Sequence, residues 1–200
     1  MQPDTDLIAR LGLAAIFLGA AAIGMPRRLR ADRAGGCVPR RVDPLWFWVL
    51  MMLAGPPVML ACLAFMVNPS WLDFAAIDAP PWLHLLGLPL AGLGLALFWW
   101  MFRHLGLNVT STSMPRTDAT LITSGPYRFI RHPMYLAALI LLLAASLLMA
   151  NWIVAVGGVS CFALLAARSR LEERRLIEKF GDAYREYQRT TGRFLPRLRR

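Results

Sequence analysis

The residues best suited to chemistry lie in two blocks that flank an apolar stretch. The first block reads Gly-Pro-Tyr-Arg-Phe-Ile-Arg-His-Pro-Met-Tyr at residues 125–135, and the second contains the adjacent acids Glu172 and Glu173. Pro133 suits the first turn of a helix, so the residues before it lie at a helix mouth whose unpaired amides favour an anionic ligand. Two adjacent carboxylates instead favour a cation, either a nearby arginine or a positively charged ligand.

The segments that must position these blocks are long and apolar. Hydrophobic residues make up 57% of the 200-residue chain, and the mean hydropathy is +0.48. Stretches of roughly 17 to 23 such residues match the length that crosses a hydrocarbon core. We predict an all-α integral membrane protein with about five spans, at residues 7–25, 45–67, 82–102, 134–150 and 152–167. Arg10 is the one charged residue inside them.

The last two spans predict a tight helical hairpin, because only a short turn at Asn151 separates them. Both polar blocks then meet at one membrane surface. From Arg168 the chain predicts an amphipathic helix, because hydrophobic residues recur every three or four positions. A helix of this kind can also lie on anionic headgroups. We predict one membrane domain over residues 1–200, with three spans in 1–103 and the motif, the hairpin and the C-terminal helix in 104–200.

The arginines predict the orientation of the chain. The loop at residues 26–44 holds six arginines, whereas the loop at residues 68–81 holds two acids and no basic residue. Basic loops stay on the cytoplasmic side of a membrane. We therefore expect a bacterial inner-membrane protein whose N-terminus is outside and whose C-terminus and polar blocks are cytoplasmic. The loop arginines are Arg27, Arg28, Arg30, Arg33, Arg40 and Arg41.

The charge pattern predicts membrane lipids as partners and disfavours nucleic acid. The net charge of +10 comes almost wholly from arginines beside the spans, where anionic headgroups attract them. Cys37, Cys62 and Cys161 lie far apart and predict neither a disulfide nor a metal site. We expect no metal partner.

Three further features of the first 110 residues are interpreted structurally. Gly87, Gly92 and Gly94 predict close helix approach. His84, near the start of the third span, is expected at the membrane interface. The Asn108-Val-Thr sequence matches a glycosylation acceptor by chance, because its predicted side is cytoplasmic.

The C-terminal half resembles a known family. Residues 120–135, an apolar hairpin, then Arg168-Ser-Arg-Leu-Glu-Glu and Phe180-Gly-Asp-Ala-Tyr-Arg-Glu-Tyr resemble the isoprenylcysteine carboxyl methyltransferases and their phospholipid methyltransferase relatives. The resemblance implies an integral membrane enzyme that uses S-adenosylmethionine without a Rossmann domain. It also implies that the cytoplasmic end of the hairpin holds the cofactor and that the C-terminal helix covers it.

The resemblance assigns roles to individual residues. It implies that Arg168 holds the acceptor, whereas Glu173, which repeats the family's second acid, is catalytic, binds the cofactor or pairs with Arg131. Glu172 suits the cofactor ammonium, His132 and the helix-start amides suit its carboxylate, and aromatic faces attract its sulfonium. The cofactor contacts implied are Ala119, Thr120, Leu121, Ile122, Tyr127, His132, Pro133, Met134, Tyr135 and Glu172.

The sequence does not determine the chemical class of the methyl acceptor. A carboxylate or thiolate acceptor needs no base, and Arg168 would orient it through its fork of donors. An amine needs a base, for which Glu173 or His132 is the candidate. The resemblance favours the carboxylate of a prenylated cysteine that enters from the bilayer, with a phospholipid amine or a thiol as alternatives. Ala137 and Ala138 stand where the family commonly has glycine, which predicts a slightly narrower pocket.

Two other classes of protein remain as alternatives. One is a reductase of the sterol type, which uses a nicotinamide cofactor, although its phosphate-binding basic residues are not apparent in the sequence. The other is a membrane protein that retains the hairpin without catalytic activity.

Overall fold

The computed structural model describes residues 3–34, 43–109 and 119–197, together with Pro115 and Thr117. Arg40, Arg41 and Cys37, on which the orientation and cysteine predictions partly depend, lie outside these ranges. Seven α-helices occupy the described residues. They are α1 (Pro3–Arg33), α2 (Leu45–Val67), α3 (Pro81–Leu85), α4 (Gly87–Leu105), α5 (Pro133–Met149), α6 (Trp152–Phe180) and α7 (Asp182–Thr190).

All five predicted spans correspond to helices. The second prediction matches α2 at both ends, while the third is divided between α3 and α4. Four helical segments are long and apolar enough to cross a membrane, and α5 is an apolar helix of 17 residues, near the lower limit for a span. The prediction of an all-α integral membrane protein is confirmed.

The predicted start of the C-terminal helix is wrong. Helix α6 continues without a break from Trp152 to Phe180, so the polar turns after Ala167 extend the fifth span. The break comes at Gly181, whose φ of +57° is left-handed, and α7 follows it. The residues change from apolar to charged at Arg168, but the backbone hydrogen bonds of the helix continue past this point.

The hairpin between α5 and α6 is confirmed, and Asn151 makes it tight. Its Oδ1 accepts hydrogen bonds from the amides of Ile153 at 3.0 Å and Val154 at 3.3 Å, which caps the start of α6. Ala150, just before it, has a left-handed φ of 42°. The turn places the first residues of α5 and the polar end of α6 at the same end of the bundle.

Glycines let α4 approach α5 closely. A Cβ at Gly87 would lie 2.6 Å from Leu148 Cγ, and one at Gly94 would lie 2.7 Å from Leu141 Cδ2. The prediction of close approach is confirmed for these two positions and is wrong for Gly92, around which a Cβ would meet nothing within 4 Å. The contact also brings the end of α4 beside the first block.

The position of His84 at the membrane interface stays a prediction, but its side chain is packed inside the bundle. This residue is 4% exposed, and its Nδ1 lies 3.2 Å from the carbonyl oxygen of Leu148. It therefore joins α3 to the end of α5 inside the bundle. The opposite end, where α1 and α4 end and α5 begins, carries Arg27, Arg28 and Arg103, and we call it the arginine-rich end.

Candidate active site

A cavity lies at the arginine-rich end, between the first block, the segment before it, and the inner faces of α6 and α7. Arg168 and all ten residues implied as cofactor contacts line it, whereas Glu173 is not among the lining residues. The ten are Ala119, Thr120, Leu121, Ile122, Tyr127, His132, Pro133, Met134, Tyr135 and Glu172. The structure thus brings two distant stretches of sequence onto one concave surface.

The roof of the cavity comes from the amphipathic residues of α6 and α7. Leu176, Phe180, Tyr184 and Tyr187 line the cavity, so this apolar face packs inward and is not laid on headgroups. Tyr187 donates its hydroxyl hydrogen to the carbonyl oxygen of Tyr127 at 2.6 Å, which ties α7 to the 3₁₀ helix Gly125–Arg128. Burial raises the pKa of both Tyr184 and Tyr187, so both phenols stay neutral at physiological pH.

One wall of the cavity is an extended segment at residues 119–122, and Asn108 holds it in place. Thr120 donates its amide to Asn108 Oδ1 at 3.2 Å, and Asn108 Nδ2 donates to Thr120 Oγ1 at 3.3 Å. Among the described residues, the backbone groups of Leu121 and Ile122 have no hydrogen-bond partner. They are therefore available to a ligand. The sequence did not indicate this role of Asn108. Its polar side chain was noted only as part of a chance match to a glycosylation pattern.

Glu172 is held by a hydroxyl that also contacts Arg168. The Tyr135 hydroxyl donates to Glu172 Oε2 at 2.7 Å and accepts from Arg168 Nη1 at 3.0 Å. The side chain of Glu172 remains 28% exposed toward the cavity. A carboxylate in this position can accept further hydrogen bonds from a cationic ligand.

Asp43 is a partner of Arg168 that sequence reasoning missed. Its Oδ2 accepts from Arg168 Nη2 at 3.0 Å and from Nε at 3.3 Å, and its side chain is fully buried. The Arg168 guanidinium also lies over the ring of Phe47, 5.2 Å from its centroid. An acid immediately before a span, in a loop rich in arginine, was the available signal.

Glu173 points into a cluster of basic and amide side chains behind the cavity. Its Oε1 accepts from Arg131 Nε at 2.8 Å and lies 3.1 Å from His132 Nε2, and its Oε2 accepts from Arg193 Nη2 at 2.7 Å. Gln188 Nε2 donates to the same oxygen at 3.2 Å. This geometry matches the pairing with Arg131 that the sequence left open.

The same cluster sets the acidity of Glu173, which lies in the polar extension of α6 beyond the predicted span. Burial opposes ionisation, but hydrogen bonds from His132, Arg193 and Arg131 outweigh it and lower the pKa of the Glu173 carboxyl to about 2. A carboxylate of this acidity is a weak base at neutral pH. The geometry therefore favours a structural role for Glu173 over a catalytic one.

The C-terminal tail occupies part of the helix mouth. The amides of Arg131 and His132 donate to the carbonyl oxygens of Gly192 at 2.8 Å and Arg193 at 3.0 Å, so these two amides are not available to an anion. In the described structure, the amides of Met134 and Tyr135 keep no backbone partner. Any anion at the start of α5 therefore meets these two amides.

His132 forms the back wall of the cavity. Its ring stacks on that of Tyr135 with centroids 5.2 Å apart and an interplanar angle of 12°. Nε2 faces Glu173, and Nδ1 lies 4.0 Å from Glu172 Oε2. Glu173 occupies Nε2, whereas Nδ1 makes no hydrogen bond among the described residues, so donation from His132 to the cofactor carboxylate stays a prediction.

The residues present fit a ligand of mixed charge. Glu172 can accept from an ammonium group, and the amides of Met134 and Tyr135 can donate to a carboxylate. The rings of Tyr127 and Tyr135 can lie against a sulfonium. These groups match the ammonium, carboxylate and sulfonium of S-adenosylmethionine.

Comparison with known proteins identifies the family. Residues 82–183, from α3 to the start of α7, match the family profile described as phospholipid methyltransferase. The chain belongs to the phospholipid methyltransferase family. The membership predicted from the two blocks is therefore confirmed. The matched range excludes α1, α2 and Asp43.

Curated relatives of this phospholipid methyltransferase family member carry different names. Methanethiol S-methyltransferase of Pseudomonas deceptionensis is 35% identical over 42% of this chain and 31% of its own length. Methanethiol S-methyltransferase 1 of Bradyrhizobium diazoefficiens is 38% identical over 48% of this chain and 34% of its own. Protein-S-isoprenylcysteine O-methyltransferase of Dictyostelium discoideum is 29% identical over 40% of this chain and 35% of its own. The match thus spans about a third of each relative.

Proposed function

We propose that this protein is a membrane methyltransferase that transfers a methyl group from S-adenosylmethionine to a lipid-borne acceptor at the arginine-rich end of the bundle, on the cytoplasmic side. The observation that carries this proposal is that Glu172, the amides of Met134 and Tyr135, and Arg168 open onto one cavity. The cavity therefore offers a site for each charge of the methyl donor and a separate cation for the acceptor.

The chain's own groups bind and orient the donor. Glu172 accepts hydrogen bonds from its ammonium, and the amides of Met134 and Tyr135 donate to its carboxylate. The backbone groups of Leu121 and Ile122 are available for hydrogen bonds to its adenine ring. When bound, the cofactor supplies a methyl group on a cationic sulfur, which leaves as a neutral thioether. Because charge is neutralised in this transfer, positioning and exclusion of water supply most of the rate.

Arg168 is proposed to hold the acceptor. A guanidinium has five N–H donors. Two of them point to Asp43 and one to Tyr135, so within the described residues two remain for a ligand. Two parallel N–H groups suit the two oxygens of a carboxylate. This supports O-methylation of an isoprenylcysteine-like acid, in line with the name of the Dictyostelium relative.

Thiol methylation is the second candidate, and Asp43 favours it. The buried Asp43 carboxylate balances the charge of Arg168, which lowers the attraction of the pair for a fully charged acceptor. A neutral or weakly anionic sulfur would then bind as well as a carboxylate. Two relatives are named for methylation of methanethiol, at 35% and 38% identity.

An amine acceptor is the least supported of the three. Such an acceptor needs a base, and Glu173 lies outside the cavity lining with a pKa of about 2. His132, the other candidate, already faces Glu173 through Nε2 at 3.1 Å. Neither residue is placed to take a proton from an amine.

The proposal is tested in two steps on detergent-purified full chain. Calorimetry with S-adenosylmethionine and with its demethylated product should detect binding to wild type and none to Glu172→Gln. Transfer of a radiolabelled methyl group is then compared for farnesylated N-acetylcysteine, a farnesyl thiol and phosphatidylethanolamine. Binding without transfer to any of the three would reject these acceptor classes, and absence of binding would reject the methyltransferase proposal itself.

A further inference from the structure

Arg168 and Glu172 lie four residues apart on α6, the spacing at which an arginine and a glutamate commonly pair across one helical turn. In the described structure they form no direct ion pair, and the Tyr135 hydroxyl lies between them. It is 3.0 Å from Arg168 Nη1 and 2.7 Å from Glu172 Oε2. The spacing on the helix favours a pair that the structure does not form.

Asp43 is the group that draws Arg168 away. Its Oδ2 receives hydrogen bonds from both Nε and Nη2 of Arg168, at 3.3 and 3.0 Å. The Asp43 side chain is fully buried and that of Arg168 is 8% exposed, so little water competes with this contact. A second cation, Arg175, lies with Nη1 3.7 Å from Asp43 Oδ1. A buried, doubly bonded partner outweighs a partly exposed one on the same helix.

The backbone around Asp43 also favours this position. Asp43 precedes Pro44, which disfavours helical dihedral angles at residue 43 and keeps it just outside the start of α2. The contact joins the loop before α2 to α6 over 125 residues of sequence. It therefore depends on the part of the chain that lies outside the family match.

We propose that Asp43 is a positioning residue that keeps Arg168 off Glu172 and thereby leaves Glu172 available to the cationic group of the ligand. This inference rests on the proposed function, in which that group is the ammonium of S-adenosylmethionine. Without Asp43, Glu172 is the acid one helical turn from Arg168, and both side chains already contact the Tyr135 hydroxyl. The pair that then forms across one turn of α6 competes directly with the ligand.

The test is a double-mutant cycle with cofactor affinity as its readout. Calorimetry with S-adenosylmethionine is run on the full chain for wild type, Asp43→Asn, Arg168→Gln and the double variant. Asp43→Asn should weaken binding about tenfold or more, the loss that goes with one charge-assisted hydrogen bond. Arg168→Gln sets the reference affinity for a chain that lacks the competing cation. In the double variant the affinity should return to that of Arg168→Gln, because the competing cation is gone.

The cycle separates positioning from simple support of the fold. If Asp43 only stabilised the bundle, the loss caused by Asp43→Asn would persist in the double variant, and that result would overturn the inference. Unchanged affinity in Asp43→Asn would overturn it too. The conservative variant Asp43→Glu, which keeps the charge, should bind within about threefold of wild type.

A variant that fails to fold, or a wild type that fails to bind, also gives a decisive result for the role of Asp43. If Asp43→Asn does not fold, Arg168→Gln and the double variant carry the test, because equal affinities support the inference and a tenfold loss overturns it. Wild type that binds no S-adenosylmethionine would overturn both this inference and the proposed function. Wild type that binds alongside an unaffected Asp43→Asn would overturn the inference alone.

Discussion

The Tyr135 hydroxyl donates to Glu172 Oε2 at 2.7 Å, and this contact joins the first turn of α5 to the polar end of α6. The two residues lie 37 positions apart in the sequence, one near the start of the first helix of the hairpin and the other near the end of the second. Because the same hydroxyl accepts from Arg168, it links the group proposed for the methyl donor to the group proposed for the acceptor.

Replacing Tyr135 with phenylalanine should weaken the proposed cofactor site without unfolding the protein. The variant keeps the ring that stacks on His132 and loses only the hydroxyl. A hydrogen bond to a charged group contributes about 1.5–3 kcal/mol, so calorimetry should detect roughly a tenfold loss of S-adenosylmethionine affinity. The thermal unfolding midpoint serves as the control that the variant is folded at the temperature of the binding measurement. Unchanged affinity would mean that Glu172 needs no such support.

Glu172 and Glu173 should respond differently to the same change. Glu173→Gln leaves the buried Arg131 and the half-buried Arg193 without their carboxylate, and breaking a buried ion pair costs about 3–5 kcal/mol of unfolding free energy. Glu172→Gln removes a partly exposed acid that faces the cavity and should abolish cofactor binding while the fold persists. Denaturation followed in detergent, together with calorimetry, checks both. Loss of binding but not of stability in Glu173→Gln would return that residue to the catalytic candidates.

The contribution of Glu173 to stability should depend on pH in one direction. Its pKa is about 2 in the folded chain and 4.5 ordinarily, so the folded state favours the ionised form. The stabilisation is therefore complete above about pH 4.5 and is lost as the pH falls toward 2. The difference in unfolding free energy between wild type and Glu173→Gln should be constant from pH 7 to 5 and shrink below that. A difference that grows on acidification would contradict this account.

The sequence predicted the elements of the fold better than their connections. Helix α2 begins just after Asp43 and Pro44 and ends where the apolar run meets Asn68 and Pro69, because a span needs about 20 apolar residues. The polar end of α6 was read as a new helix, since hydropathy records where a helix leaves the membrane and not where its hydrogen bonds stop. Only the left-handed Gly181 marks the true end.

Some residues of the site could also be predicted from the sequence, whereas its long-range contacts could not. The residues of the first block and Glu172 were predicted to share a surface because the hairpin returns the chain to the membrane face it left. Asp43 was missed because no periodicity relates a loop before α2 to a side chain on α6. No sequence pattern indicates the contact of the tail with the helix mouth, where the amides of Arg131 and His132 donate to the carbonyl oxygens of Gly192 and Arg193. Contacts of this range depend on tertiary packing.

Asn108 should contribute to the cofactor site through the segment that it holds. Asn108→Ala removes the acceptor for the Thr120 amide and the donor to Thr120 Oγ1. Each hydrogen bond contributes about 1 kcal/mol, so the affinity for S-adenosylmethionine should fall roughly fivefold if one contribution reaches the site and roughly thirtyfold if both do. Asn108→Asp, which keeps the acceptor and loses the donor, should show an intermediate loss. Equal losses in both variants would indicate that the donor alone matters.

Two glycines with nearly the same φ provide a matched test of the first block. Gly125 and Gly181 have φ of +60° and +57°, so alanine is strained by about 1–3 kcal/mol at either position. A Cβ at Gly181 would meet nothing within 4 Å, whereas one at Gly125 would lie 2.4 Å from Cγ of His104. The ring cannot yield by a small rotation, because three of its atoms lie within 2.6 Å of that Cβ.

Gly125→Ala should therefore be the more damaging of the two. It forces His104 away from the carbonyl oxygen of Trp100, 3.0 Å from its Nδ1, and displaces the 3₁₀ helix that carries Tyr127 into the cavity. We expect Gly181→Ala to lower the unfolding free energy by about 1 kcal/mol, and Gly125→Ala to lower it by about 3 kcal/mol and to weaken cofactor binding as well. Chemical denaturation and calorimetry on both variants measure the difference. Equal destabilisation would show that the backbone, and not the contact with His104, requires glycine at position 125.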